Sequence, residues 1–309
     1  MDKRKIVIIG AGKLAYSLVS ALIKVNYPIV VVISRKLNSA KSLAKKFSIE
    51  HYSDKLQSIP KDIKVFFLTV PDGEIKKVAE GLSKLKKNFK DCICIHYSGV
   101  EDISSLQALQ KKGGAVGSLH IIRPFPSKNI VDIKNFPASI EAKDKRAIRY
   151  LNQLCRDLKL KPHKIQFDEK VLHHLAAVHS SNFLVGNLYN AFSLIKSKNN
   201  LSNKILKQTT QSALNNVFKL GPVNALSGPI DRGDFCAIKK HIEALNKRVS
   251  KSKSNERLLL LKKSYVIQSL SLLEVVKAKY GRLNKNHLKV KKFLENELVR
   301  FGNQKRFAK

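Results

Sequence analysis

The sequence has no tryptophan, one methionine, four cysteines and 23 acidic residues against 59 basic ones. The net charge of +36 at pH 7 raises the question of a nucleic-acid or anionic-membrane partner. Lysine supplies 47 of the 59 cations, however, and the lysines are spread at nearly even density along the chain. We expect no nucleic-acid partner, because such a surface would concentrate arginine and interleave aromatic side chains for base stacking.

Long apolar runs are also missing. No run approaches the 18 or more residues of a membrane-spanning helix, and the longest, such as residues 28–33, have the length of a strand. Glycines and Lys13 interrupt the first apolar stretch, where a secretion signal would need continuity. The cysteines form no CxxC motif, and His and Cys show no zinc-ligand spacing. We therefore expect a cytoplasmic protein with no membrane partner and no catalytic metal.

The 309 residues, 43% of them apolar, are enough for about two domains. Short runs rich in β-branched residues predict buried parallel strands at 5–9, 29–33, 63–70, 92–96, 116–120, 137–141 and 163–167. Apolar residues at helical spacing then run through 169–196, 202–220, 235–249, 256–280 and 285–301. The sequence predicts an α/β fold, a Rossmann-type doubly wound parallel sheet over residues 1–167, followed by an all-α domain over residues 168–309.

A glycine-rich turn follows the first predicted strand and opens a helical pattern. It reads Gly10-Ala11-Gly12-Lys13-Leu14-Ala15, which is the spacing G-x-G-x-x-A. In a dinucleotide site the first glycine allows the tight turn, the second lets the pyrophosphate approach the backbone, and the third position permits close packing. A tight turn that binds nothing is the alternative. The strand-turn-helix context favours a dinucleotide site that includes Gly10, Gly12, Lys13 and Leu14.

The end of the second predicted strand distinguishes between the two nicotinamide dinucleotides. An NAD site places Asp or Glu here, about 20 residues past the glycines, to hold the ribose hydroxyls. This chain has Ser34-Arg35-Lys36 instead, and the next acid along the sequence is Glu50. Ser34 can hydrogen-bond a 2′-phosphate, and Arg35 can pair with it or stack on adenine. NADP is therefore the expected cofactor.

Three further segments follow strands whose carboxyl ends meet at one edge of the predicted sheet. They are Val70-Pro71-Asp72, Tyr97-Ser98-Gly99 and the segment that contains His120. Because open α/β sheets bind ligands at this edge, we expect Val70 and Pro71 beside the cofactor and Ser98 and His120 beside the reacting atoms. For His120 the alternative is a polar group satisfied by the backbone. Asp72 is expected to cap the next helix.

These motifs resemble a family of bacterial proteins that join a Rossmann-like domain to a helical domain of unknown function. Its members are described as candidate NADP oxidoreductases, similar to deazaflavin-dependent reductases and more distantly to the 6-phosphogluconate and 3-hydroxyacid dehydrogenases. The resemblance covers nearly the whole chain and rests further on Ser118-Leu119-His120, His174-Leu175-Ala176-Ala177, Ser181-Asn182, Leu226–Asp234 and His241. The chain departs from the family at Ile121, where a proline is expected after His120.

The resemblance to the related dehydrogenases implies roles for two residues of the first long helical pattern. His174 and Asn182 are eight residues apart. On one helix that is about 12 Å along the axis, so they cannot both hold one reacting atom. They could flank an elongated substrate, with His174 as proton donor or acceptor and Asn182 orienting a carbonyl. Helix packing by small and polar residues is the alternative.

The segment Leu226–Asp234 contains two glycines and a proline, which predict a loop between two helices, with Asp234 capping the second. Arg232 could project from this loop into the cleft between the domains and clamp a carboxylate or phosphate. A structural turn is the alternative. We therefore expect a small anionic substrate, and the candidate catalytic residues are His174, Asn182, His120, Arg232 and Ser98.

Two functions from different classes remain open. The first is an NADP-dependent oxidoreductase that moves hydride to or from the anionic substrate. The second is a non-catalytic dinucleotide-binding sensor or regulatory protein. The second remains because the helix with His174 lacks the Lys–Asn pair at four-residue spacing that some related dehydrogenases use.

A homodimer through the C-terminal helices is expected by analogy with the related dehydrogenases. The pattern over residues 256–280 also carries more apolar residues than one helical stripe needs. The alternative is that this helix is the buried centre of the helical domain.

Overall fold

The fold is described from a computed structural model, which describes residues 3–195, 201–251 and 256–304. Two compact units divide between Leu184 and Val185. The first unit contains a single eight-stranded sheet. The second unit is built from helices.

The sheet has the Rossmann-type strand order. Its strands are β1 (Ile6–Ile9), β2 (Ile29–Ile33), β3 (His51–Ser53), β4 (Val65–Leu68), β5 (Ile93–His96), β6 (Ala115–Ile121), β7 (Pro137–Ala142) and β8 (Lys161–Lys164). They lie in the order β3-β2-β1-β4-β5-β6-β7-β8. The strands from β1 to β6 pair in parallel, while β7 is antiparallel to β6 and parallel to β8. The predicted fold class is confirmed, with one antiparallel pair that the prediction of a parallel sheet lacked.

Helices cover both faces of this sheet, which explains the continuous apolar runs. The helices of the first unit are α1 (Lys13–Lys24), α2 (Leu37–Lys46), α3 (Ile75–Ser83), α4 (Gln107–Lys111), α5 (Lys145–Asp157) and α6 (Phe167–Ser180). Ile6 and Ile8 of β1 belong to one buried apolar cluster, and Val7 and Ile9 belong to the other. Alternate residues of the strand thus face opposite layers of helices, as expected for a strand in a doubly covered parallel sheet.

The first unit differs from the prediction in several details. β3 was not predicted, because it has three residues and none of them is buried. α6 begins at Phe167, where a strand was expected, because Gln166 and Glu169 form a reciprocal capping box. Asp72 caps no helix: it lies in the short turn Asp72–Glu74, and α3 begins only at Ile75. The unit also continues past the boundary predicted at residue 167, because α6 inserts a lysine into the sheet edge, as described below.

The second unit packs around one long helix. Its helices are α7 (Asn182–Leu194), which begins just before the division, α8 (Leu201–Asn224), α9 (Pro229–Arg232), α10 (Phe235–Ser250), α11 (Glu256–Tyr280) and α12 (Lys285–Gln304). α11 contacts α8, α9, α10 and α12. Its buried Val266, Leu273 and Val276 form a core with Ile238 of α10 and Leu294 of α12. Much of the apolar excess of this helix is therefore used inside the unit, and the homodimer stays a prediction.

Two predicted helices are interrupted. The pattern over residues 169–196 is two helices, because Ser181 between α6 and α7 leaves the helical region with φ −122° and ψ −63°. The Ser181 hydroxyl donates to the Ala177 carbonyl at 2.6 Å, a local bond of the kind that competes with helix continuation. α8 is kinked where Gly221, with φ 79°, precedes Pro222.

Candidate active site

The first glycine of the turn after β1 is required by the fold itself. Gly10 has φ +111°, and a Cβ atom there would lie 2.5 Å from the Thr69 carbonyl oxygen at the end of β4. The Thr69 hydroxyl donates to the Gly10 carbonyl at 2.9 Å and ties the turn to that strand. Only glycine avoids both the unfavourable φ and the collision. Its presence alone therefore does not indicate a ligand.

The second glycine has no such structural reason. Gly12 has φ −81°, and a Cβ atom there would meet only the Thr69 carbonyl oxygen, at 3.8 Å. Gly12 precedes α1, whose N-terminus has no side-chain cap and no acid in its first turn. Free backbone N–H groups and the helix dipole make such a terminus a binding site for phosphate. The fold would accept a side chain at this position. The glycine is therefore consistent with a ligand that approaches the backbone closely.

This turn borders a cavity of about 420 Å³ at the carboxyl ends of β1, β2 and β4. Such a volume is within the usual range of small-molecule sites. Six predicted cofactor residues line it, namely Gly10, Gly12, Ser34, Arg35, Val70 and Pro71. Lys13 and Leu14 form the first turn of α1 and are not among the lining residues.

Two carboxylates that the sequence analysis missed also line this cavity. Asp54 follows β3, and Glu74 precedes α3. The Glu74 carboxylate lies 3.6 Å from the Arg35 guanidinium and 3.9 Å from the Lys77 ammonium. Both acids belong to segments that are distant from β2 in sequence. The parallel sheet brings these segments close to the end of β2. The lining of the cavity near Arg35 therefore contains acidic as well as basic side chains. Neither acid is at the position directly after β2, where an NAD site would have one.

A second group of side chains lies at the ends of β5 and β6. The rings of His120, on β6, and His174, on α6, have centroids 5.6 Å apart. Both rings pack on Gly99, where a Cβ atom would lie 2.5 Å from the His174 ring and 2.8 Å from the His120 ring. Burial, and then the proximity of His174, lowers the pKa of His120 to about 4. The His120 imidazole is therefore neutral at pH 7, so one ring nitrogen can accept a proton and the other can donate a hydrogen bond.

A buried lysine anchors the helix that carries His174. Lys170 is 1% exposed, and its ammonium donates to the Glu101 carbonyl, to the Ser118 hydroxyl at 2.7 Å and to the Glu141 carboxylate at 3.3 Å. These acceptors belong to the loop after β5, to β6 and to β7, and they use the three N–H groups of the ammonium. Since His174 follows one helical turn later, the network fixes its position. The sequence analysis missed Lys170 because one lysine among 47 carries no signal; only its four-residue spacing from His174 could have indicated it.

Ser98 and Asn182 have local partners. The Ser98 hydroxyl oxygen accepts the backbone N–H groups of Val100 at 3.1 Å and Glu101 at 2.9 Å, which closes the turn after β5. Asn182 is exposed at the start of α7, where its side-chain oxygen accepts the Ser181 hydroxyl at 2.9 Å. Because the helix is broken at Ser181, the offset expected for His174 and Asn182 on one helix does not apply. Catalytic roles for Ser98 and Asn182 stay predictions.

Arg232 ends the short helix α9 in the second unit, where a loop was predicted. The preceding residue, Asp231, pairs with Lys279 of α11 at 3.0 Å. Asp234 caps α10 as predicted, accepting the Ala237 N–H at 3.0 Å. The motif therefore builds a compact corner of the helical unit, and the role of Arg232 as an anion clamp stays a prediction.

In residues 3–195, 201–251 and 256–304, no three His, Cys, Asp or Glu side chains come together as ligands for a metal ion. Among the helices in these ranges, none has the length and apolarity needed to cross a membrane.

Comparison with protein families divides the chain into two matched segments. Residues 5–96 match the family described as NADP oxidoreductase, coenzyme F420-dependent. This segment runs from β1 to the end of β5 and contains the residues that line the dinucleotide cavity. Residues 136–256 match the domain of unknown function DUF2520. The second segment contains His174, Asn182, Arg232 and His241.

Solved structures resemble nearly the whole chain. A candidate NADP oxidoreductase of Bacteroides fragilis is 26% identical with a TM-score of 0.74, over 88% of this chain and 98% of that one. A protein of Thermotoga maritima is 23% identical with a TM-score of 0.67, over 88% and 99%. A reductive aminase of Aspergillus terreus, in complex with NADPH and ethyl-5-oxohexanoate, is 11% identical with a TM-score of 0.55, over 96% and 94%. The last two show a shared fold.

No protein of curated function matches the chain significantly. The family matches nevertheless agree with the geometry of the first unit, where the glycine turn, the end of β2 and the end of β4 surround one cavity. They confirm NADP as the cofactor at the level of the family. The chain thus joins a Rossmann-like part that matches the NADP oxidoreductase family to a mainly helical part that matches DUF2520, in line with the sequence resemblance.

Proposed function

We propose that this protein is an NADP-dependent oxidoreductase that transfers hydride to or from a small anionic substrate. The observation that carries the proposal is the cavity over Gly12, where a residue with no structural need to be glycine stands before an uncapped helix. The NADP oxidoreductase family supports the cofactor and the general reaction. The substrate class and its location are our inference.

The lining residues fit the parts of an NADP molecule. The glycine turn and the N-terminus of α1 would hold the pyrophosphate. Ser34 and Arg35 would hold the 2′-phosphate, and Val70 and Pro71 would lie against the cofactor at the end of β4. When bound, the nicotinamide supplies or accepts the hydride.

The proton that accompanies hydride transfer would be handled by His120 and His174. His120 is held neutral by burial, and the two rings face each other across Gly99. A neutral imidazole at this sheet edge can accept a proton as a general base or hydrogen-bond the substrate, and His174 would be the proton donor or acceptor. Lys170 would act through His174, as a positioning residue, because its ammonium has protein acceptors for all its hydrogens.

The remaining parts of the proposal concern the helical domain. By resemblance to the related dehydrogenases, Arg232 would bind the anionic group of the substrate and Asn182 would orient its carbonyl. The net charge of +36 supports an anionic substrate, because it raises the local concentration of anions. We also propose a cytoplasmic homodimer. Exposed apolar side chains on α7 and α8 support the dimer, among them Val185, Tyr189 and Phe218.

Kinetics with NADPH tests the proposal. Small carboxylates and phosphate esters that carry a carbonyl would be screened for loss of the absorbance of the reduced nicotinamide. With any active substrate, His174→Gln should lower kcat, and Arg232→Lys should mainly raise KM, because Lys keeps the charge and loses the bidentate geometry. Unchanged kcat in the first variant and unchanged KM in the second would remove both residues from the active site.

One observation supports the alternative function, a non-catalytic dinucleotide-binding sensor. The polar groups nearest the histidine pair, Lys170 and Ser98, are engaged in bonds that hold the fold. A sensor would bind NADPH and show no turnover with any compound in the screen. It would also respond to NADPH with a change in oligomeric state or in protease sensitivity.

A further inference from the structure

The helical unit contains a cavity of its own, of about 390 Å³, which the proposed function does not use. Its walls come from α7, α9, α10 and α11. Ser227, Pro229 and Ile230 of the segment Leu226–Asp234 line it, together with His241 of α10. The most specific motif of the second half of the chain therefore meets His241 around one cavity.

The lining of this cavity is uncharged. None of the described residues that line it is Lys, Arg, Asp or Glu, although 59 of the 309 residues are Lys or Arg. The apolar residues that line it are Ala191, Leu194, Pro229, Ile230, Ile238, Leu261 and Leu272. The polar residues that line it are Asn187, Asn190, Ser227, His241, Ser264, Tyr265, Gln268 and Ser269. An apolar cavity with a few polar groups is typical of a small-molecule site. A charged ligand would find no partner of opposite charge in it.

One side of the cavity presents a hydrogen-bond donor. Nδ1 of His241 and the Tyr265 hydroxyl are 2.8 Å apart. Burial raises the pKa of Tyr265, with the Ser269 hydroxyl opposing it, so the phenol keeps its proton at neutral pH. When the phenol donates this proton to Nδ1, the imidazole hydrogen is on Nε2. The exposed His241 ring can then donate from Nε2 to a ligand.

The lining also contains two carboxamides that are bonded to each other. The Gln268 nitrogen donates to the Asn187 side-chain oxygen at 2.9 Å and to the Ser264 hydroxyl at 2.6 Å. These bonds use both N–H groups of Gln268 and the oxygen of Asn187. In the described part of the chain, the Gln268 oxygen and the Asn187 nitrogen have no partner. The cavity therefore offers one acceptor on α11 and donors on α7 and α10.

We propose that this cavity binds an uncharged small molecule that carries a carbonyl acceptor and an N–H donor on an apolar body, as lactams and secondary amides do. The carbonyl would accept from His241 or Asn187, the N–H would donate to Gln268, and the apolar body would lie against Ile230 and Leu261. All residues of this site belong to the second unit, and all residues of the dinucleotide cavity belong to the first. The proposal therefore does not depend on the oxidoreductase activity.

Three ring compounds of similar size test the ligand class on the full chain: ε-caprolactam, which is neutral, cyclohexanecarboxylate and cyclohexylammonium. Binding is followed by saturation-transfer NMR and titration. We expect the lactam to bind with a Kd in the millimolar range, and the two ions to bind at least about tenfold more weakly, because neither has a counter-charge in the cavity. Equal binding of the three compounds, or no binding of the lactam, would overturn the proposal.

Variants then assign the binding to this cavity. Gln268→Met should weaken lactam binding by about three- to tenfold, the loss expected for one hydrogen bond to the ligand, and Tyr265→Phe should weaken it less, because it frees Nδ1 of His241 without removing a group that touches the ligand. Tyr280→Phe, at the end of the same helix, is the matched control and should bind as the parent does. Circular dichroism and NADPH affinity should be unchanged in all three variants. Lactam binding that neither Tyr265→Phe nor Gln268→Met weakens, while both are folded, would place the ligand elsewhere and refute the assignment.

Discussion

Arg35 and Glu74 set the charge that a 2′-phosphate would meet in the dinucleotide cavity. The Arg35 side chain is 79% exposed, and the Glu74 carboxylate 3.6 Å away is its partner in the ligand-free chain. An exposed pair of this kind is weak, so a phosphate dianion can compete for the guanidinium. We therefore expect Glu74 to influence cofactor choice through Arg35 rather than by holding a ribose hydroxyl at the end of β2.

Arg35→Ala should weaken NADP binding by about tenfold or more and NAD binding hardly at all, because a charge-assisted bond contributes about 1.5–3 kcal/mol. Glu74→Gln should strengthen NADP binding several-fold, since the guanidinium then has no competing carboxylate. Lys77→Gln, which alters the other partner of Glu74, is the control and should leave the ratio of NADP to NAD affinity nearly unchanged. Calorimetric titration with both cofactors checks this; equal losses for both in Arg35→Ala would refute it.

At the scale of elements, the sequence predicted the strands and helices where one pattern dominated. β2 and α11 lie where apolar spacing placed them, at Ile29–Ile33 and Glu256–Tyr280. β3 escaped prediction because a short, half-exposed edge strand has too little apolar pattern to detect. The break at Ser181 escaped it because a single serine interrupts neither helical periodicity nor composition.

The candidate site likewise contains residues that the sequence predicted and residues that it did not. The glycine turn and the end of β2 could be predicted, because their residue types are dictated by local backbone geometry and by the ligand. Glu74, Asp54 and Lys170 could not, because they reach their places through long-range pairing of strands and helices. Such long-range contacts have no local sequence pattern that could predict them.

α6 provides the element-scale prediction. Lys170→Met should destabilise the protein by about 3–5 kcal/mol, because it leaves the Glu141 carboxylate, 13% exposed, without its partner. It should also raise the pKa of His120, which the Lys170 charge helps to lower. Urea unfolding and NMR titration of the His120 ring measure the two effects. Lys170→Met combined with Glu141→Gln is the control and should recover much of the stability while His120 stays shifted. A His120 pKa that does not move in Lys170→Met would contradict the account.

At the scale of the whole molecule, the buried imidazole of His96 and the partly buried one of His120 make the fold sensitive to acid. Burial, then the charge of Lys170, lowers the pKa of His96 to about 3, and His120 is lowered to about 4. Both rings are neutral in the folded chain at pH 5. In the unfolded chain they become protonated below the ordinary histidine pKa of about 6.5. The unfolded state thus binds more protons in this window, and stability falls as the pH falls.

Each of these histidines should contribute a slope of about 1.4 kcal/mol per pH unit between about pH 6 and pH 4, with no contribution above pH 7. Denaturant unfolding at several pH values measures this dependence. His120→Gln should remove one of the two contributions, while His51→Gln, at an exposed position of β3, should leave the profile unchanged. Stability that is flat from pH 7 to pH 4.5 would contradict the burial of these rings.

The homodimer is the other prediction at this scale. Phe218 on α8 is 86% exposed, and Val185 and Tyr189 on α7 are 68% and 59% exposed, more apolar surface than isolated side chains explain. We expect a dimer mass by light scattering at micromolar concentration, and a monomer mass for Phe218→Asp. Leu288→Asp, on α12 and 53% exposed, is the control and should remain dimeric. A monomer mass for the parent chain would exclude the dimer.

The central claim is that the cavity over Gly12 binds NADP, and calorimetric titration of Gly12→Val with NADPH tests it most directly. A side chain at this φ is unstrained and its Cβ atom meets only one protein atom within 4 Å, so the fold should persist and the valine should occupy the space of the pyrophosphate. Gly73→Val, at a glycine with no neighbour within 4 Å, is the matched control. The account predicts tight NADPH binding by the parent and by Gly73→Val and none by Gly12→Val. Parent-like affinity in a folded Gly12→Val would contradict it.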